Sequence, residues 1–146
     1  VSPMYDTILF PTDGSEPAQD AIDAAIDLAS RYDATLHALY VVDVAAFDVP
    51  DADTSFILAA FEEEGATAVE AVREAASAAD VPCETAVVTG TPADSILSYV
   101  DDHDVDCLVM ATHGRRGLSR LLLGSTTERV VRRSSVPVLV VPAAEE

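Results

Sequence analysis

The most constraining feature of this chain is a regular alternation. Short continuous apolar runs take turns with longer stretches whose apolar residues recur every three or four positions. A continuous run such as Ile8-Leu9-Phe10 puts apolar side chains on both sides of a strand, which is favourable only where both faces are covered. Residues 5–11, 34–42, 82–88, 105–111 and 136–141 read in this way as five strands. Between the first two, Ala18, Ala21, Ile22, Ala25, Ile26 and Ala29 define an amphipathic helix over 16–31. Ser15 is placed to cap it, with Glu16 and Pro17 suited to its first turn. Residues 54–79 predict a second helix, with a bend near Gly65. Thr91-Pro92 opens a third that runs to about Val100. Residues 125–133 predict a fourth, whose start Ser125-Thr126-Thr127-Glu128 has the form of a capping box. Residues 43–53 and 112–124 read as loops.

Strand and helix alternate across 146 residues, which predicts a single domain over 1–146. The expected class is α/β: doubly wound, with a mostly parallel five-stranded sheet and helices on both faces. Pro137 cannot donate to a ladder, so the last strand is expected at a sheet edge. An exposed apolar edge needs a partner, and a homodimer paired through strand 136–141 is the expectation.

Charge narrows the possible partners. There are 26 acidic residues against 8 basic ones, for a net charge of −18, and all the basic residues are Arg. Hydrophobic residues make up 49%, enough for a core, so this is not a disordered acidic chain. A compact domain with this charge repels itself at ordinary salt, whereas at molar salt the Debye length falls to about 3 Å. An acidic chain without Lys therefore fits a halophile's cytoplasm. The apolar runs are far short of the ~20 residues of a membrane span, and the first residues carry no signal-peptide pattern, so a cytoplasmic location without membrane contact is expected. The charge is also uneven. Residues 1–110 hold 23 acids and two Arg, whereas residues 111–146 hold three acids and six Arg. A basic island on an acidic protein suits a small anion rather than a nucleic acid, which the remaining surface would repel.

In doubly wound folds, ligands bind beyond the carboxyl ends of the strands, where strand order reverses. Two loops follow such ends: Pro11-Thr12-Asp13-Gly14-Ser15, and the stretch from Thr112 to Thr126. The second holds Gly114, Gly117 and Gly124, three of the six glycines. Glycine lets backbone approach a ligand closely. Gly124-Ser125-Thr126 opens a helix, where free N–H groups and the dipole favour phosphate. Taken alone, these are equally the marks of a turn and a cap.

At this point the sequence resembles the universal stress protein family, in particular its ATP-binding branch. The family signature is Gly, two residues, Gly, nine residues, then Gly-Ser or Gly-Thr. Gly114, Gly124 and Ser125 fit it, and Ala111 stands where the first Gly would be. Ile8-Leu9-Phe10-Pro11-Thr12-Asp13-Gly14-Ser15 and Ser135-Val136-Pro137-Val138-Leu139-Val140-Val141 look like two further family blocks. The resemblance implies that Pro11, Thr12 and Asp13 lie against adenine and ribose, that Val41 packs on adenine, and that Met110 and Ala111 line the ribose side. It implies that Gly114 and Arg115, then Gly124, Ser125 and Thr126, cradle phosphates, with Gly117 in the same loop. The implied ligand is ATP, or else AMP or ADP, with Mg or Mn on the phosphates. The implied role is that of a homodimeric, nucleotide-dependent regulatory switch in the stress response. The alternatives are a slow ATPase, or an interaction protein of the same fold without nucleotide.

Other residues have plainer readings. Arg116 and Arg120 are open both to phosphate contact and to offsetting the acidic surface. Arg129, Arg132 and Arg133 suit the negative end of the last helix. His37 reads as a strand residue, His103 as solvated, His113 as a loop residue, and Cys83 and Cys107 as small core residues. Without Lys there is no P-loop, and no zinc-protease or nucleophile-elbow motif occurs. The absence of an evident general base or activated nucleophile argues against fast hydrolysis.

Overall fold

The computed structural model describes residues 5–43, 55–112 and 123–142. In chain order the elements are β1 (Thr7–Pro11), α1 (Glu16–Tyr32), β2 (Thr35–Asp43), α2 (Ser55–Ala78), β3 (Cys83–Gly90), α3 (Pro92–Asp102), β4 (Cys107–Ala111), α4 (Ser125–Arg133) and β5 (Val138–Val141). The strands form one sheet in the order β3-β2-β1-β4-β5, and all four pairings are parallel. This is the doubly wound α/β fold expected from the alternation, with β5 at an edge. Pro137 lies just before β5 and contributes only its carbonyl, which accepts the Leu108 N–H.

The apolar runs are buried because each face of the sheet has its own helices. Ile8, Phe10, Leu36, Ala38, Tyr40, Val42 and Val109 pack with α1 and α2 in one core. Leu9, Leu39, Leu108 and Met110 pack with α3 and α4 in the other. The strand period of two sends neighbouring residues into different cores. The buried stripe of α1 is Ala18, Ala21, Ala25, Ile26 and Ala29, mostly methyl groups, so the helix lies close on the sheet. Ser15 caps α1 as expected, its hydroxyl accepting the Ala18 N–H at 3.4 Å. At the other end Asp33 takes a left-handed conformation (φ 54°) and donates its N–H to the last turn.

The glycine in α2 serves packing. A Cβ at Gly65 would fall 2.6 Å from Cδ1 of Tyr40, a ring that is itself buried in the core. Glycine costs a helix about 1 kcal/mol relative to Ala, and here it lets α2 meet the Tyr40 ring directly. Gly65→Val is expected to destabilise the fold by about 1–3 kcal/mol through overpacking. Denaturant unfolding at fixed high salt measures the loss. Combining the change with Tyr40→Leu should restore part of it, because the two sites are in contact.

Candidate functional site

The chain leaves β1 for β2 on one side, and after α3 it crosses to β4 on the other. The reversal point lies between β1 and β4, whose carboxyl ends carry Pro11 on one strand and Met110-Ala111 on the other. This is where an open α/β sheet leaves a crevice for a ligand.

The turn after β1 is braced from within. The Thr12 N–H donates to the Leu39 carbonyl at 2.8 Å, tying it to β2. The Thr12 hydroxyl accepts the Gly14 N–H at 3.1 Å, and Asp13 Oδ1 accepts the Ser15 N–H at 2.9 Å. Gly14 has φ +77°, which an L side chain rarely adopts. Asp13 is thereby held half-buried at the mouth of the crevice.

The far side is a clasp between β4, β5 and α4. The Thr112 N–H donates to the Val141 carbonyl at 3.0 Å, and the Thr112 carbonyl accepts the Gly124 N–H at 2.6 Å. The Thr127 hydroxyl, buried, donates to the Ala111 carbonyl at 2.9 Å. The first turn of α4 is thus pinned to the end of β4. The N-cap of α4 is Gly124, with no side-chain cap, and Ser125 is already the first helical residue. The expected capping box therefore does not form. The cap position is set by the Gly124–Thr112 bond, and Glu128 instead pairs with Arg132 at 2.8 Å. The consequence is a helix start whose leading N–H groups have no side-chain cap among the described residues, at the positive end of the dipole.

Of the residues singled out from sequence, Pro11, Thr12, Asp13, Met110, Ala111, Gly124, Ser125 and Thr126 come to the strand ends and helix start around the reversal point. Val41 lies near the end of β2 and packs against the same core as Met110, on the α3/α4 face. Ala111 belongs to the opposite core, so its methyl group faces α1 and α2 rather than the face shared by Val41 and Met110. Gly114, Arg115 and Gly117 lie outside the described residues, as do Arg116, Arg120 and His113. Arg132 and Arg133 are engaged structurally, Arg133 with Asp94 of α3 at 2.6 Å. Cys107 is buried and Cys83 half-buried, and burial raises both thiols above their ordinary pKa.

Two residues were not legible as site components. Thr112 is buried, and its hydroxyl has no hydrogen-bond partner among the described residues. Thr127 holds the helix to the strand. Their position on either side of the glycine-rich stretch was visible in the sequence, but which hydroxyl faces which carbonyl depends on how α4 docks. Thr127→Val is expected to cost about 1–3 kcal/mol by leaving the Ala111 carbonyl unpaired. Thr127→Ser should keep most of that stability, and urea unfolding of the two variants measures the difference. Among the described residues, no three His, Cys, Asp or Glu side chains converge as a metal site, and no helix is long and apolar enough to cross a membrane.

The sequence profile of the universal stress protein family matches residues 4–142. The chain belongs to the universal stress protein family. A universal stress protein of Methanocaldococcus jannaschii is 39% identical over 140 residues, covering 94% of this chain and 82% of the relative. The solved universal stress protein UspA from Lactobacillus plantarum superposes with a TM-score of 0.80 at 33% identity, covering 94% of this chain and 97% of that one. A universal stress protein solved in complex with cAMP superposes with a TM-score of 0.72 at 26% identity, covering 96% of this chain and 98% of that one.

Proposed function

We propose that this universal stress protein is a single-domain, ATP-binding regulatory protein that works as a homodimeric, nucleotide-dependent switch. The carrying observation is the reversal point itself. Asp13 stands on one side, an uncapped helix start on the other, and Val41 and Met110 line one apolar face. A polar end, an apolar wall and a positive helix end are the three environments that ribose, adenine and phosphate require. The relative solved with cAMP holds an adenine nucleotide on a similar fold.

In this reading the chain's groups divide the work. Val41 packs against the base, Met110 and Ala111 line the ribose side, and Pro11 and Thr12 lie against adenine and ribose. Asp13 accepts from ribose hydroxyls. The N–H groups of Ser125 and Thr126, with Gly124 leaving room, hold phosphate, joined by Gly114, Arg115 and Gly117. The buried Thr112 hydroxyl supports the fit, because a polar group without a partner among the described residues gains one from a polar ligand. Bound phosphates bring negative charge, for which Mg or Mn is the complement. The methyl of Ala111 faces the other core, which supports binding despite the departure from the family signature. The exposed Leu139 on edge strand β5 supports pairing of two copies there. The acidic, Lys-free composition supports a cytoplasm at molar salt.

The test is direct. The protein is purified in molar KCl, one portion is denatured, and any released nucleotide is identified by chromatography and mass. Another portion is titrated with ATP, ADP and AMP in the presence of Mg. Failure to release or bind any of them sinks the nucleotide reading, and multiple-turnover phosphate release replaces the switch with an ATPase. Light scattering at the same salt tests the dimer, which a strict monomer refutes.

A further inference from the structure

The other end of the sheet carries a cluster that nucleotide binding does not use. His37 is the third residue of β2 and only 7% exposed. Its Nε2 lies 3.1 Å from Oε2 of Glu84, its register partner on β3. Its Nδ1 lies 2.7 Å from the Tyr99 hydroxyl in the last turns of α3. The Tyr99 ring meets the His37 ring edge-on and is stacked on His103 at 3.7 Å. His103 Nδ1 in turn lies 3.1 Å from the Tyr99 carbonyl.

These contacts fix the hydrogens. The Glu84 carboxylate only accepts, so His37 Nε2 carries the hydrogen and Nδ1 is the bare acceptor. With neutral His37 the Tyr99 hydroxyl is the donor in the link between α3 and β2, and protonation would force it to reverse its role. A proton added at Nδ1 would face the hydroxyl hydrogen of Tyr99, which would have to turn away within a buried site. We propose that His37, Glu84, Tyr99 and His103 form a pH-sensitive latch, which holds the C-terminal turn of α3 on the β2–β3 edge and loosens when His37 takes up a proton.

The groups facing His37 are Glu84 from β3 and Tyr99 and His103 from α3, while its register neighbour on β1 is the apolar Leu9. Burial opposes the charged ring and outweighs the attraction of Glu84, with His103 adding a smaller opposing effect. The latched state thus binds the proton less well than an opened state with an ordinary histidine. The stabilisation from neutral His37 is complete above the ordinary value of about 6.5. It is lost as pH falls through that value towards the lower one of the latched state.

Hydrogen exchange on the intact protein in molar KCl tests this. The reporters are the amides of His103 and Val105, which donate to the Tyr99 and Val100 carbonyls. After correction for intrinsic exchange, their opening is expected to rise on the order of tenfold between about pH 7.5 and about pH 5. His37→Gln keeps a donor for Glu84 and an acceptor for Tyr99 but cannot be protonated, so its opening should stay flat. No rise in the unaltered protein, or an equal rise in His37→Gln, overturns the latch. Tyr99→Phe keeps the ring stack without the hydroxyl and should be loosened already at the higher pH. An unchanged pH response in that variant also overturns the latch, whether or not His37→Gln folds. His103→Gln should retain the rise, and its loss there would move the switch away from His37.

Discussion

Gly124→Val is expected to weaken ATP binding by at least about 100-fold, or ~2.7 kcal/mol, while the protein remains folded. The backbone at Gly124 has φ −66° and ψ 161°, an extended conformation open to any residue. Its N–H can still donate to the Thr112 carbonyl, so the clasp between β4 and α4 survives the substitution. What changes is bulk at the entrance to an uncapped helix start, where phosphate must come within hydrogen-bond distance of backbone N–H groups. A branched side chain there holds the phosphate off, and a helix dipole acts only over its first turn. Isothermal titration with ATP in molar KCl gives the affinity, and circular dichroism reports the fold. Near-normal affinity would place the phosphate elsewhere. Loss of the fold would show instead that Gly124 is needed for packing.

How far the molecule was legible in sequence depends on the range of the interaction. The five strands and four helices follow from hydropathy period, because burial on both faces leaves its mark on every residue of a short run. The ends are less legible. β3 extends through Thr89 and Gly90 because they pair with Val42 and Asp43, a backbone effect with no apolar signature. β5 begins at Val138 rather than Val136, after a proline that offers the ladder only a carbonyl. Gly65 suggested a bend because glycine weakens helices, but what it meets is a ring 25 positions earlier in the chain. The capping box matched at Ser125, yet the cap is set by a carbonyl at Thr112. The candidate site residues were read from strand ends and a family signature. The His37 cluster was not, since His37 and Tyr99 are 62 positions apart and meet only through strand register and the docking of α3.

The salt dependence of folding should be as large an effect. Thermal stability is expected to rise on the order of 10 °C or more between about 0.1 M and 2 M KCl, equivalent to several kcal/mol for a domain of this size. The chain has 26 acidic residues and 8 basic ones. Among the described residues, Arg31–Asp27, Arg73–Glu70, Arg132–Glu128 and Arg133–Asp94 are ion pairs, and their side chains are about half exposed or more. Such pairs add little and are themselves screened by salt. The net charge of −18 leaves an excess of like charge whose mutual repulsion reaches over a Debye length of about 10 Å at 0.1 M. Screening removes more repulsion than attraction, so added salt stabilises the folded chain. Salt also strengthens apolar burial, and two controls separate the effects. Sucrose strengthens burial without screening charge, so its effect should be the same in the unaltered protein and in a variant with fewer acids. Exchanging the exposed Asp23, Glu62 and Glu63 for their amides should raise stability at low salt and flatten the dependence. If the amide variant keeps the full slope, repulsion is not its origin, and the acidic composition would need another explanation.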